Sequence, residues 1–366
     1  MDAVPYLIAY LMPIVTAAGL WLGGGWVFAG LAFVFVATPL LDALSGLDEV
    51  NADDEAVAAR AKKPWFDGLL RAWVPVQIGL IGFALWWATH TEQPWWALLG
   101  GALSVGVTGS GGGITIAHEL MHRARNLDRA LAEVLMTTMS YTHFCVEHVF
   151  GHHKNVATPE DPAFAPYGQT LYAFLPRTLV GGVRSAWRLE SRRAEKRGEA
   201  RTWRDRRVRY ALDLGLVYLA VGLLFGLGGL AFFALQSAVG ILLLELINYV
   251  EHYGLERALV GPGRYERVTP RHSWNSAHRL TKFFLFGLPR HADHHASASR
   301  PYYALRHYPD APQLPAGYAA MVLLSLLPPL WFRVMNPRVQ AWQAGGTPAA
   351  PAPGGAPAGA ALRAPT

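Results

Sequence analysis

Residues 95–122 read WWALLGGALSVGVTGSGGGITIAHELMH, with no Asp, Glu, Lys or Arg before Glu119. An uncharged run of this length crosses a hydrocarbon layer as a helix, which takes about 20 residues. Working outward, comparable runs occupy roughly 5–21, 24–45, 73–90, 94–117, 209–230 and 233–252. With 52% hydrophobic and 16% charged residues in a chain of 366, the composition is too apolar for an ordinary soluble domain. The expected fold class is all-α: a polytopic membrane protein with about six transmembrane helices. Only Asp2 precedes the first run and no basic n-region is present, so the first helix is expected to be retained rather than cleaved as a signal peptide.

Positive loops remain on the cytoplasmic side. Arg60, Lys62, Lys63 and Arg71 follow the second run, and Arg184, Arg188, Arg192, Arg193, Lys196, Arg197, Arg201, Arg204, Arg206, Arg207 and Arg209 follow the fourth. The turns at Gly23 to Gly25, His90 to Pro94 and Gly228-Gly229 carry almost no positive charge. Both termini are therefore expected in the cytoplasm, in a bacterial-type inner membrane. The arginine run reads as a solvated helix, with anionic lipid or an acidic protein surface as further partners. Trp21, Trp26, Trp86, Trp87, Trp95 and Trp96 read as an interfacial belt. The stretch Ala316 to Phe332 is interrupted by Pro328-Pro329 and is expected to lie on the membrane or cap the cytoplasmic region. The catalytic domain is expected to span 1–343, and 344–366 to form a disordered Ala/Pro/Gly-rich tail.

The chemistry lies in grouped histidines. His118 and His122 stand at i and i+4, on one helical face. His148 and His152 repeat that spacing and His153 adds a third nitrogen; in a third group His291 can share a face with His294 and His295. His252 ends the sixth run at the same membrane level. Nine imidazoles exceed the needs of one ion, and four or five for each of two ions is a sensible division. Imidazole suits Fe, Cu, Zn and Ni alike, but a structural zinc site would close with four ligands. Two neighbouring redox metals can activate O2. Glu119, Glu147, Asp161, Glu251 and Asp293 are candidates for accepting the imidazoles' other N–H groups, with exposure to water the alternative for each. His143, His272, His278 and His307 are left outside the ligand set, His272 and His278 being the replacements should His252 not bind, and His90 falls at the opposite membrane face. The one cysteine, Cys145, excludes an internal disulfide or Cys-rich metal site. Gly106, Gly109, Gly111, Gly112 and Gly113 indicate either close helix packing or a cleft beside the metals.

The strings HELMHR (118–123), EHVFGHHKNVATPEDPA (147–163), NYVEHYGL (248–255) and LPRHADHHASASRPY (288–302) resemble those of the membrane alkane 1-monooxygenases, the AlkB-type alkane hydroxylases. HSWN (272–275) and PQLPAGY (312–318) extend the resemblance over about residues 5 to 340. Met121, Lys282, Gly287-Leu288 and the ASASRPY string depart from the family pattern, but none removes a histidine. The resemblance implies a six-helix fold with a cytoplasmic di-iron centre on the nine histidines. It also implies terminal hydroxylation of alkanes to primary alcohols by O2, and electrons from rubredoxin and an NAD(P)H-dependent rubredoxin reductase. The chain itself has neither a dinucleotide fingerprint nor a Cys-x-x-Cys iron site, and no nucleic-acid partner is expected. Other readings are a fatty-acid desaturase or another methyl-group hydroxylase, which share such boxes; a zinc protease using HELMH, which leaves the other histidines unused; and a metal transporter, which needs ionisable groups at the membrane midplane.

Overall fold

The computed structural model describes residues 3–198 and 205–345. The expected tail, apart from Ala344 and Gly345, and Arg201 and Arg204 lie outside these residues. Four apolar helical segments come first: α1 (Val4–Leu22), α2 (Gly24–Ser45), α3 (Pro64–His90) and α4 (Trp95–Met121). Between α4 and the fifth segment lie α5 (Asn126–Thr138) and the long polar helix α6 (Leu171–Arg197). The fifth apolar segment, Arg206–His252, is 47 residues long. Gly226 takes φ 65° and ψ −163° within it, a conformation open to glycine and closed to a helix. It divides the segment into α7 (206–225) and α8 (227–252), a few residues before the turn expected around Gly228-Gly229, which is itself helical. The protein is an integral membrane protein, all-α apart from one hairpin, Leu259–Gly261 against Arg264–Tyr265, among the described residues.

The glycines of α4 settle most of the choice between packing and cleft. A Cβ on Gly112 would stand 1.9 Å from the Trp73 ring, and one on Gly113 1.7 Å from Gln77 Oε1, so α3 packs directly on the α4 backbone. Gly106 meets α8 at the Gln236 carbonyl and Val239, and Gly109 meets Met139. Gly111 differs, because it lines a cavity. Trp21, Trp26, Trp86, Trp95 and Trp96 are exposed at the end of the bundle away from the histidines, consistent with a belt. Trp87 is not part of it: its ring is buried against Gly101 and Phe232.

At the histidine end, residues 144–165 and 254–316 form a cap on the helices. Gly254 N donates to the Ala165 carbonyl at 2.8 Å, and Trp274 N donates to that of Glu251 at 2.9 Å. Asn275 joins Pro312 and Leu314 through its backbone, and its Oδ1 accepts from Ala292 N at 2.9 Å. The HSWN string thus anchors the start of the short helix His291–Ala296. The stretch Ala316 to Phe332 is interrupted at Pro328, as its prolines suggest, and forms parts of two helices, α9 (Tyr318–Ser325) and α10 (Pro328–Gln343), because Pro328 starts a new helix. Trp331 of α10 is fully buried against Tyr249 and Tyr253.

Candidate metal centre

The nine expected histidines converge in two groups. His118, His122, His148, His153 and His294 form one, and His152, His252, His291 and His295 the other, with the potential ligand nitrogens of each within 4.8 Å of one another. None of the remaining five histidines joins either group. His272 binds Glu266 (3.2 Å), His278 binds Ser276 (2.8 Å), His143 packs edge-on to Tyr141, and His90 stacks on Trp86 at the far end. His307 is buried in the cap, where its backbone joins Asn51.

How the backbone sorts the histidines differs from the spacing argument. His148–His152 is a π-helical turn, in which hydrogen bonds reach i+5 and the turn is wider. His148 is therefore paired with His153, their Nε2 atoms 3.0 Å apart, and not with His152. Within its own box His291 is grouped with His295, at 2.8 Å, while His294 faces His153 at 3.0 Å. Adjacent helical residues point about 100° apart. Each of the dipeptides His152-His153 and His294-His295 consequently gives one side chain to each group.

The donor set fits metal ions. Two nitrogens at right angles on one ion, each about 2.1 Å from it, stand about 3.0 Å apart. The contacts within the groups run from 2.8 Å to 3.4 Å: His148–His153, His153–His294, His291–His295, His152–His295 and His252–His291. His118 and His122 each bury an Nε2 with no hydrogen-bond partner. Burial, and then repulsion from His152, moves His122 down to about 4, and burial likewise lowers His148, His153, His291, His294 and His295. These rings are neutral at pH 7 and offer lone pairs. His152 is the exception: burial pulls it down, but the Asp161 carboxylate overrides this and raises it to about 9.

The five carboxylates separate into different roles. Asp161 accepts from His152 Nδ1 at 2.9 Å and from Ala163 N at 2.9 Å, orienting the ring as expected from the sequence. Glu119 instead accepts from Arg123 at 3.0 Å, and Arg123 also holds Asp67. Asp293 accepts from Arg300, Arg306 N (2.8 Å) and Tyr308 (3.0 Å). Both answer guanidinium groups, which outcompete a neutral imidazole for a carboxylate. Glu251 faces the inward nitrogen, His291 Nε2, at 3.2 Å, and is steadied by the Tyr318 hydroxyl at 2.7 Å. Glu147 is raised to about 8 by burial and by Asp161, and its Oε1 has no hydrogen-bond partner.

The residue-by-residue reading missed Tyr318 and Glu245. Glu245 is a buried carboxylate inside α8 that accepts from Tyr141 (2.8 Å), Thr178 (2.7 Å) and Asn248 (3.2 Å). A lone acid within an apolar run was the available signal. A small cavity touches both histidine groups, through His118 and His148 of one and His291 of the other, with Phe144, Leu244 and Leu288 among its apolar walls. A larger cleft of about 880 Å³ reaches His122 from outside and is edged by Arg123, Arg129, Arg193, Arg206 and Arg209.

Comparison with known proteins assigns the architecture. The family described as fatty acid desaturase matches residues 94–325. Alkane 1-monooxygenase 2 of Pseudomonas aeruginosa is 44% identical over 323 residues, covering 87% of this chain and 86% of that protein. The alkane 1-monooxygenase of Acinetobacter baylyi is 36% identical over 311 residues, covering 85% and 76%. The hydroxylase component of a xylene/toluene monooxygenase from Pseudomonas putida is 31% identical over 354 residues, covering 93% and 90%. The chain belongs to the fatty acid desaturase family, as integral membrane enzymes with clustered histidines. Within that family it groups with the alkane 1-monooxygenases, which are O2-dependent oxidoreductases.

Proposed function

We propose that this chain is an alkane 1-monooxygenase that converts RCH3, O2, two electrons and two protons into RCH2OH and water. The observation that carries the reading is the convergence of nine histidines in two adjacent groups, with a small apolar-walled cavity against histidines of both. The nine histidines would hold two irons, which supply reduction of O2 and transfer of one oxygen atom. The chain's own residues do the positioning. Asp161 fixes His152 with its Nε2 inward, and Tyr318 holds Glu251 toward His291. Phe144, Leu244 and Leu288 seat a methyl group and exclude water beside the histidines.

The two electrons come from outside the chain. The arginine-edged cleft at His122 suits an acidic carrier, for which the family points to rubredoxin and its NAD(P)H-dependent reductase. On this reading the metal centre and both termini are cytoplasmic, the bundle lies in the inner membrane and 1–343 is the catalytic domain. The xylene/toluene relative supports a second reading, hydroxylation of a methyl group on an aromatic ring. The test is iron content combined with O2-dependent products from alkanes and from xylene, with rubredoxin and its reductase present. About two irons and a primary alkanol are expected. Full activity with one ion or with zinc alone overturns the di-iron assignment, an alkene product favours a desaturase, and a benzylic alcohol formed in preference to an alkanol favours the second reading.

A further inference from the structure

Two cavities lie end to end between the outside of the bundle and the histidines. The outer one, about 40 Å³, is bounded by Met12, Val34, Phe35, Leu243 and Val322 among others and is almost wholly apolar. Val34 and Phe35 are half-buried, and their neighbour Val36 is 57% exposed on the lipid-facing side of α2. The inner one, about 20 Å³, is the cavity that touches His118, His148 and His291.

Three elements run from one cavity to the other. α4 gives Gly111 to the outer wall and Ser110 and Ile114 to the inner. The segment before the last histidine box gives Leu285 to the outer wall and Leu288 to the inner. α8 gives Leu243 to the outer and Leu244 to the inner. Ile247, one turn beyond this pair, lines both.

Neither void holds a hydrocarbon chain: a cavity that accepts benzene is about 150 Å³, and these two are about 40 and 20 Å³. A chain reaching the histidines from the bilayer must therefore displace the side chain between them. Isoleucine in a helix is nearly confined to one χ1 rotamer, so it yields less than the leucines beside it. We propose that Ile247 is the gate between a bilayer-side chamber and the metal-side chamber, and that its bulk sets how readily a long saturated chain passes. The ligand class, an unfunctionalised hydrocarbon chain, rests on the alkane reading above. The gate itself rests on the two cavities.

The test uses the full-length protein in membranes with a decane that carries a terminal diazirine. After photolysis, the labelled residues are mapped by mass spectrometry. Wild type is expected to be labelled in both chambers, for example at Val322 and at Leu288. Ile247→Trp should retain the outer label and lose the inner one by roughly tenfold, about what one methylene's worth of misfit does in an apolar pocket. Ile247→Ala should increase the inner label, and it serves if the tryptophan variant fails to insert. The turnover counterpart is the ratio of hexadecanol to octanol from an equimolar mixture of the two alkanes, which does not depend on how much enzyme folds. That ratio should fall in Ile247→Trp and rise in Ile247→Ala. Inner labelling equal to wild type in both variants overturns the gate, as does a wild type labelled in neither chamber. Absence of any alkanol from wild type with normal labelling instead overturns the alkane reading and leaves the gate standing.

Discussion

Asp161→Asn should weaken one metal site and spare the other. Asp161 is fully buried and answers two donors, His152 Nδ1 through Oδ2 and Ala163 N through Oδ1, each at 2.9 Å. Asparagine fills the same volume but has one acceptor oxygen, so its NH2 group must face one of those donors. A buried donor left without its acceptor costs about 1–3 kcal/mol. Loss of a carboxylate behind a metal-binding imidazole typically weakens the metal about 10–100-fold, or about 1.4–2.7 kcal/mol. The loss falls on the group of His152, His252, His291 and His295, because the other five histidines do not contact Asp161. The assay loads both proteins with iron, challenges them with increasing chelator near pH 9, and counts retained iron per chain. At that pH about half of the His152 rings, raised to about 9, have lost the second proton, the one on Nε2 that competes with the metal, while Nδ1–H stays on Asp161. Wild type should keep about two irons well past the chelator concentration at which the variant falls toward one. Equal chelator resistance, or loss of both ions together, would refute the assignment of His152 and Asp161 to one site.

Further outcomes are expected. His252→Ala should lower iron content by about one per chain and abolish hydroxylation, whereas His90→Ala, at the far end of the bundle, should retain both; full iron in the His252 variant would move the ligand elsewhere. In metal-free protein the raised His152 contributes stability that is complete below about pH 6.5 and lost as pH rises through about 9, so the thermal midpoint should drop over that interval, and a flat profile would contradict the ion pair with Asp161. Arg129→Glu combined with Arg206→Glu should raise the KM for rubredoxin several-fold without changing iron content, and wild-type turnover at limiting carrier should fall with salt; sustained turnover on NADH alone would remove the need for a carrier. Gly112→Ala should lower the unfolding midpoint by an amount corresponding to roughly 1–3 kcal/mol, because its Cβ would stand 1.9 Å from the Trp73 ring, and an unchanged midpoint would mean that α3 and α4 are not packed as described.

The histidines were legible because few other arrangements of one residue type repeat at helical spacing beside apolar runs. Their allocation was not. The i, i+4 rule joins His148 to His152, but the π turn joins His148 to His153, and nothing local in Glu147 to His153 announces a turn one residue wider. The carboxylates show the same limit more sharply. Glu119 follows His118 directly, yet its partner is Arg123, which is itself tied to Asp67 on another helix. Asp293 lies between His291 and His294 in sequence but is claimed by Arg300 and Tyr308 from the following loop. The apolar segments follow from hydropathy, since apolar length is a local property, but the break in the 47-residue segment falls at Gly226 and not at the expected Gly228-Gly229. Tyr318 reaches Glu251 across 67 positions of sequence, a contact that only the packed cap can create.

The dipeptides His152-His153 and His294-His295, each straddling the two histidine groups, have a consequence for engineering. Cα atoms joined by a trans peptide stand 3.8 Å apart whatever happens around them. Two such fixed rungs, on separate stretches of chain, hold the groups side by side without help from any atom between them. A hinge, loop insertion or helix shift elsewhere leaves the backbone of the two groups tied together while these peptide bonds remain, so only side-chain rotation can change their spacing. A designer who wants a single-metal version must delete side chains from one group, and one who wants wider spacing must rebuild both rungs together. Inheritance faces the same arithmetic, since an inserted residue within either dipeptide disturbs both sites in one event.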